Sequence, residues 1–315
     1  MNSTAENPSQ PTTDAVHPRH LLAPVDFSKP CLQGIAAAVD LARRFGAKLT
    51  VVHVVKHLPH GSHLALEVAG ISQDWERPAR EKLAEFVTAH VPSDVTVNEV
   101  VVHGKPFHEV VNLAAEQKCD LIVIATHGYT GLAHLLIGSN AERIVQHAPC
   151  AVLVVRGRPD DDTPPAASEI DFRWILLSTD FSENSCKAFR VACAMAHEYR
   201  AKLTLAYVVP PMPVPIAMPS EIPYVDWGNV MLSRCADAET QLRKFRAERF
   251  SAETKMDTVV FEGPAHLMIT EAAKSDTPGL IVIATNGQTG WEHALLGSTA
   301  ERVVRHAPCP VLVVR

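Results

Sequence analysis

From His20 onward, apolar and polar positions switch between two periods. HLLAPVDFS (20–28) is an apolar run closing in turn residues, which predicts a buried strand. Ile35, Ala38, Val39 and Ala42 then recur at helical spacing within 32–45, and KLTVVHVV (48–55) predicts a second strand. The same succession returns without a gap at an offset of 154: WILLSTDFS (174–182), a helix over 188–199, and KLTLAYVV (202–209). Helices over 75–90 and 229–249, strands over 95–102 and 258–261, and helices over 107–117 and 266–274 follow in the two halves. Each half therefore reads βαβαβαβαβ.

The last part of each half repeats most closely. Residues 121–156 and 280–315 agree at 26 of 36 positions, both running from LIVIAT through a glycine-containing loop and a Gly-Ser step to HAPC and VLVVR. A repeat of this length marks duplicated domains rather than a solenoid. Strands separated by helices imply parallel pairing, so the expected fold class is α/β, with two duplicated doubly wound open sheets of five parallel strands each, Rossmann-like. The domains are read as 19–156 and 171–315. Between them an acidic, Pro-rich linker spans 157–170, and a polar, disordered leader spans 1–18. Sheets of this kind bind ligands beyond the carboxyl ends of their strands, where the strand order reverses. The ends to inspect are 24–28 and 125–131, with 178–182 and 284–290 in the second half.

Composition narrows the partner. The chain has 315 residues, a formal net charge of −6 and 47% hydrophobic residues, so no chain-wide basic field recruits nucleic acid. Seven cysteines without a CxxC pair argue for a reducing cytosol rather than a disulfide scaffold. Cys150 and Cys309, each after Ala-Pro and before a strand, read as buried small residues. No signal peptide and no membrane-spanning apolar run is legible, so a cytoplasmic chain without membrane attachment is expected.

Gly128 is followed after nine residues by Gly138-Ser139, and Gly287 after nine by Gly297-Ser298; Gly131 and Gly290 recur between them. A glycine loop ahead of a helix start brings backbone N–H groups and the helix dipole to one place, where a phosphate would sit. Ser139-Asn140-Ala141-Glu142 and Ser298-Thr299-Ala300-Glu301 also read as S-x-x-E capping boxes, which would explain the serine and glutamate without a ligand. Asp26 and Asp180 close the first strand of each half, as ligand contacts or as helix-start residues. There is no G-x4-G-K-[ST] lysine and no duplicated general base, because His127 faces Asn286, so fast hydrolysis is not expected. His134, His293, His147 and His306 read as surface or helix-end residues, and His57, His60 and His63 form at most a weak metal pattern. The loops over 57–70 and 210–223 read as lids, partner surfaces or plain connections.

These motifs resemble the universal stress protein family, over nearly all of both halves. Its ATP-binding members carry G-x2-G-x9-G-[S/T] after the fourth strand and an aspartate at the end of the first. Here Ala125 and Ala284 stand at the first glycine, a departure that adds a Cβ. The resemblance implies an adenine nucleotide alpha hydrolase-like fold holding ATP or AMP, with or without Mg2+. It places Pro24, Val25, Asp26 and Val52 at the adenosine, and Gly128, Gly131, Gly138, Ser139 and Asn140 at ribose and phosphates. In the second half Ser178, Thr179, Asp180, Ala206, Gly287, Gly290, Gly297, Ser298 and Thr299 would do likewise. The terminal strands, apolar on both faces and followed by no helix, read as uncovered edges. In this family the last strands pair across a two-fold axis, which implies an internal pseudo-dimer, with homodimerisation of two chains as a further expectation. A stress-response nucleotide-binding role with little or no hydrolysis is the leading reading. A nucleotide-free interaction, small-ligand or metal-binding protein, and a slow hydrolase or nucleotidyl transferase, are the alternatives.

Overall fold

The computed structural model describes residues 17–56, 76–126, 138–156, 172–212, 226–250, 254–275, 279–285 and 296–315. The first half runs β1 (His20–Val25), α1 (Lys29–Phe45), β2 (Lys48–Lys56), α2 (Glu76–His90), β3 (Val97–Gly104), α3 (Pro106–Glu116), β4 (Leu121–Thr126), α4 (Ser139–His147), β5 (Ala151–Arg156). The second runs β6 (Trp174–Thr179), α5 (Glu183–Tyr199), β7 (Lys202–Val209), α6 (Trp227–Arg249), β8 (Met256–Glu262), α7 (Ala265–Ser275), β9 (Leu280–Ala284), α8 (Ser298–His306), β10 (Val311–Val314). Helices α1 and α5 begin earlier than their apolar periodicity suggests. Pro30 is tolerated in the first turn of α1, and Ser182 caps α5 by accepting a bond from the Ser185 amide.

Each half is the five-stranded parallel unit expected from the sequence, and the two units join. The strand order is β3-β2-β1-β4-β5-β10-β9-β6-β7-β8, a single ten-stranded sheet. Every neighbouring pair is parallel except β5 and β10, which meet antiparallel with Val311 opposite Val154 and Val313 opposite Val152. The terminal strands are thus not uncovered edges: each completes the other, and β3 and β8 are left at the rims.

Both sheet faces are covered, which is why the strands read as continuous apolar runs. One core layer packs Leu21, Leu49 and Leu153 under α1 and α2, and continues through Ile175, Leu203 and Leu312 under α5 and α6. The opposite layer packs Leu22, Val52 and Ile122 under α3 and α4, and continues through Leu176 and Ile281 under α7 and α8.

Polar contacts tie the halves across the seam. Arg156, ending β5, donates from Nη2 to the Val304 and Arg305 carbonyls, and the first of these bonds is 2.7 Å. Arg315, just past β10, donates likewise to the Val145 (3.0 Å) and Gln146 carbonyls. Each arginine therefore caps the last turn of the other half's final helix, where cations are favoured. On the opposite face the Asp40 carboxylate of α1 holds Arg44 Nε at 3.0 Å and accepts the Tyr199 hydroxyl from α5.

Candidate functional site

The order of strands reverses at β1/β4 and at β6/β9, and there the sheet comes apart. β1 keeps register with β2 over its whole length, to Val25 opposite His53, but pairs with β4 only at Leu21 and Leu22. In the second half β6 and β9 hold three pairs, ending at Leu177 opposite Val282. Beyond those points the ladder between the two strands ends, at the switch point where sheets of this class hold a ligand crevice. Pro24, which has no amide proton to give a ladder, lies opposite Val52 of β2 but in the stretch of β1 that is unpaired on the β4 side.

The turn out of the first strand is built alike in both halves. The Asp26 Oδ1 atom accepts from the Ser28 amide at 3.0 Å and from its hydroxyl at 2.5 Å; Asp180 Oδ1 accepts from the Ser182 amide at 3.0 Å. Between them Phe27 and Phe181 stand in the left-handed region, at φ 61° and 65°. A bulky residue there costs about 1–2 kcal/mol, and ring packing holds it. Phe27 lies 4.4 Å from the His53 ring and Phe181 4.5 Å from the Tyr207 ring, centroid to centroid. In the second half the Thr179 hydroxyl also accepts from the Phe181 amide at 3.0 Å. The recurrence of Asp-Phe-Ser after both first strands was the signal for these turn aromatics, which sequence reasoning passed over.

The helix starts differ from a capping box. Gly138 and Gly297 are the capping residues, and Ser139 and Ser298 are already the first helical residues. The glutamates do not fold back: Glu142 and Glu301 both accept from Arg305 Nη2, at 3.1 and 3.0 Å. A glycine cap has no side chain to spend on the first-turn amides, which lack intrahelical acceptors. Ser139 and Asn140 are exposed beside them, and Ser298 and Thr299 occupy the equivalent turn. The Gly297 amide donates to the Thr285 carbonyl at 2.7 Å, which fixes the start of α8 on the carboxyl end of β9 beside the β6/β9 split. A Cβ on Gly297 would lie 2.8 Å from that carbonyl oxygen, whereas one on Gly138 would meet nothing within 4 Å among the described residues. The two glycines therefore carry different constraints despite identical motifs.

Other expected residues fall as follows. The Ala125 methyl lies against α1, where a Cβ added to Gly34 would come within 3.1 Å of it. Ala284 likewise packs on the core layer under α5. Both methyls thus meet a helix on a sheet face. Val52 and Ala206 are fully buried, opposite Pro24 and Ser178 in the ladder. β2 runs on to Lys56, so Val52 lies in mid-strand rather than at its end and offers the crevice backbone alone. Gly128, Gly131, Gly287, Gly290, His127, His134, His293 and the histidines at 57, 60 and 63 lie outside the described residues. So do the loop over 57–70 and most of that over 210–223.

Among the described residues no three His, Cys, Asp or Glu side chains gather into a group that could hold a metal ion. No described helix is long and apolar enough to cross a membrane. Among the described residues, the strand ends and helix starts present backbone amides, a helix dipole, small residues and one aspartate in each half. An arrangement of that kind suits an anionic oxygen.

Comparison with known proteins places this architecture. The profile of the universal stress protein family matches residues 18–156 and again 171–315. "Universal stress protein E" of Salmonella typhi is 25% identical over 313 residues, covering 94% of each chain. "Universal stress protein A homolog 1" of Coxiella burnetii is 37% identical over 144 residues, covering 44% of this chain and 97% of its own. The crystal structure of a universal stress protein from Archaeoglobus fulgidus superposes with a TM-score of 0.60 at 16% identity, over 94% of this chain and 98% of its own. Two family profiles end to end, on two βα units that share one sheet, make this chain a tandem member of the universal stress protein family.

Proposed function

We propose that each half binds an adenine nucleotide, ATP or AMP, in the crevice where its sheet splits, and that occupancy sets the state of a cytoplasmic stress-response protein rather than fuelling a reaction. The observation that carries this reading is the bond from the Gly297 amide to the Thr285 carbonyl. It holds a glycine-capped helix start, with its unspent amides, against the carboxyl end of β9, where a side chain would not fit. Phosphate oxygens suit that place, and the Asp180 turn across the split suits the nucleoside. Mg2+, where present, would travel with the phosphates.

A ligand that binds only the folded state stabilises it by RT ln(1 + [L]/Kd), about 2.7 kcal/mol at a hundredfold excess over Kd. Millimolar cellular nucleotide would then set the fraction of occupied protein. The test is to denature freshly purified protein and identify released nucleotide by chromatography and mass, then to titrate emptied protein with ATP and Mg2+. Near two equivalents per chain is the expected result. None released, and no thermal shift at millimolar ATP, would sink the proposal in favour of a nucleotide-free interaction protein.

A further inference from the structure

Nine polar side chains are buried among the described residues, and six of them form a side-chain hydrogen bond: Asp40, Thr50, Thr179, Ser185, Thr204 and Thr270. The three that form none are Thr126 (4% exposed), Ser178 (9%) and Thr285 (6%). A buried hydroxyl without a partner is costly, so native chains keep few and each calls for an explanation. All three stand at carboxyl ends of strands beside the two splits: Thr126 ends β4, Ser178 is the last residue but one of β6, and Thr285 follows β9.

In the second half two of them share a face. Leu176 of β6 and Ile281 and Ile283 of β9 belong to the layer under α7 and α8, and so does Ala206, which pairs with Ser178. Strand alternation turns Ser178 and Thr285 to that same face. There the Gly297 amide ties the start of α8 to the Thr285 carbonyl. The last pair between β6 and β9 is Leu177 opposite Val282, so Ser178 is the first residue beyond the ladder. It is level with Ile283 and two residues, about 7 Å, short of Thr285. Thr285 thus lies beside the helix start, and Ser178 at the inner end of the split.

Thr126 and Thr285 are equivalent in the two halves, whereas Ser178 is matched by Pro24, whose ring offers no hydrogen bond. A nucleotide with its phosphates at the start of α8 reaches Ser178 with its far end, the base. A serine hydroxyl is donor and acceptor at once, so it serves either kind of atom on a base edge. We propose that Ser178 is a specificity-determining residue of the second half: its hydroxyl bonds the polar edge of the base, a contact that Pro24 denies the first half, and the two sites hold the same nucleotide with unequal affinity. This inference rests on nucleotide binding as proposed above. A site built to bond a polar group discriminates strongly against losing that bond, because its own buried group is then left unpaired.

The test is isothermal titration of the emptied full chain with ATP and Mg2+. Two classes of site are expected, one in each half. Ser178→Ala should weaken one class by about fivefold and leave the other unchanged. The melting temperature of the nucleotide-free variant should match or exceed that of the parent, since the hydroxyl has no partner in the chain to lose. Ser178→Thr, which keeps the hydroxyl, should stay within about twofold of the parent. The Ser178→Ala loss should be as large for 2′-deoxy-ATP and 3′-deoxy-ATP as for ATP, because the base is common to all three. Nucleotide binding that Ser178→Ala leaves unchanged overturns this proposal and spares the reading on which it rests. So does a loss that Ser178→Thr shares, or one that vanishes with either deoxynucleotide, which would put the contact on the ribose. No binding of millimolar ATP by the parent overturns both.

Discussion

Tyr199 of the second half donates its hydroxyl to the Asp40 carboxylate of the first, beneath the Arg44 guanidinium, which lies 4.2 Å over the tyrosine ring. Asp40 is 6% exposed, and these two partners hydrogen-bond its carboxylate. Burial, then the adjacent carboxylate, push the Tyr199 phenol far above the usual tyrosine range. Tyr199→Phe should destabilise the chain by about 2 kcal/mol in urea denaturation, the value of a hydrogen bond to a charged group. In the parent, ultraviolet titration should leave one of the four tyrosines un-ionised up to pH 12. Because its folded pKa is raised, this contribution is present below the unfolded value near 10 and is lost as pH rises beyond it.

Gly297 and Gly138 head identical motifs in different surroundings. Gly297→Ala places a methyl against the Thr285 carbonyl oxygen and should destabilise by about 1–3 kcal/mol, whereas Gly138→Ala should stay within about 0.5 kcal/mol. Thermal melts of the two variants side by side decide it, and equal losses would contradict the asymmetry. Gly138→Ala is accordingly the cleaner probe of nucleotide contact, since its added methyl meets no described residue.

α1 ends on Gly46 at φ 62°, and α5 ends at the matching place on Arg200 at φ 51°. The left-handed cap favours glycine, so Arg200→Gly should stabilise the chain by about 0.5–1 kcal/mol, read as a higher urea midpoint at unchanged slope. A lower midpoint would mean that the arginine side chain makes contacts worth more than the backbone strain.

Cys150 and Cys309 are pushed up to about 12 and Cys31, Cys119 and Cys193 to about 11, in each case chiefly by burial. Their folded pKa values exceed the unfolded ones. The stability they contribute is therefore complete below about pH 8.5 and drains away as pH climbs towards the folded values. Stability measured at pH 8, 9 and 10 should fall with a slope of up to about 1.4 kcal/mol per pH unit for each such thiol. Cys309→Ala should flatten that slope. In the native state these five should resist alkylation at pH 8 over times that label a free thiol fully.

Much of this was legible in the residues. Apolar runs and helical periodicity located all ten strands and all eight described helices within a few residues, because parallel strands buried on both faces leave long apolar runs. The duplication foretold two equivalent halves, and the VLVVR endings hinted at the seam. What the pattern could not show was spatial. S-x-x-E reads as a capping box until Arg305, from the other half, draws Glu142 away. Ala125 reads as an intrusion into the crevice until Gly34 is seen opposite its methyl. Each miss concerns a residue whose role is set by a neighbour far away in sequence.

The antiparallel meeting of β5 and β10 has a consequence for how the two halves can diverge. Two identical chains joined through such a seam would be bound by mass action, separating on dilution, and by symmetry, so that every substitution would appear twice. Here the partners belong to one polypeptide, and their encounter is unimolecular, set by an effective concentration that dilution does not change. Substitutions fall on one side alone. Arg305 can gather glutamates from both halves while its counterpart is Gln146. Permanent tethering thus lets one half keep an inherited duty while the other departs from it, within a single sheet.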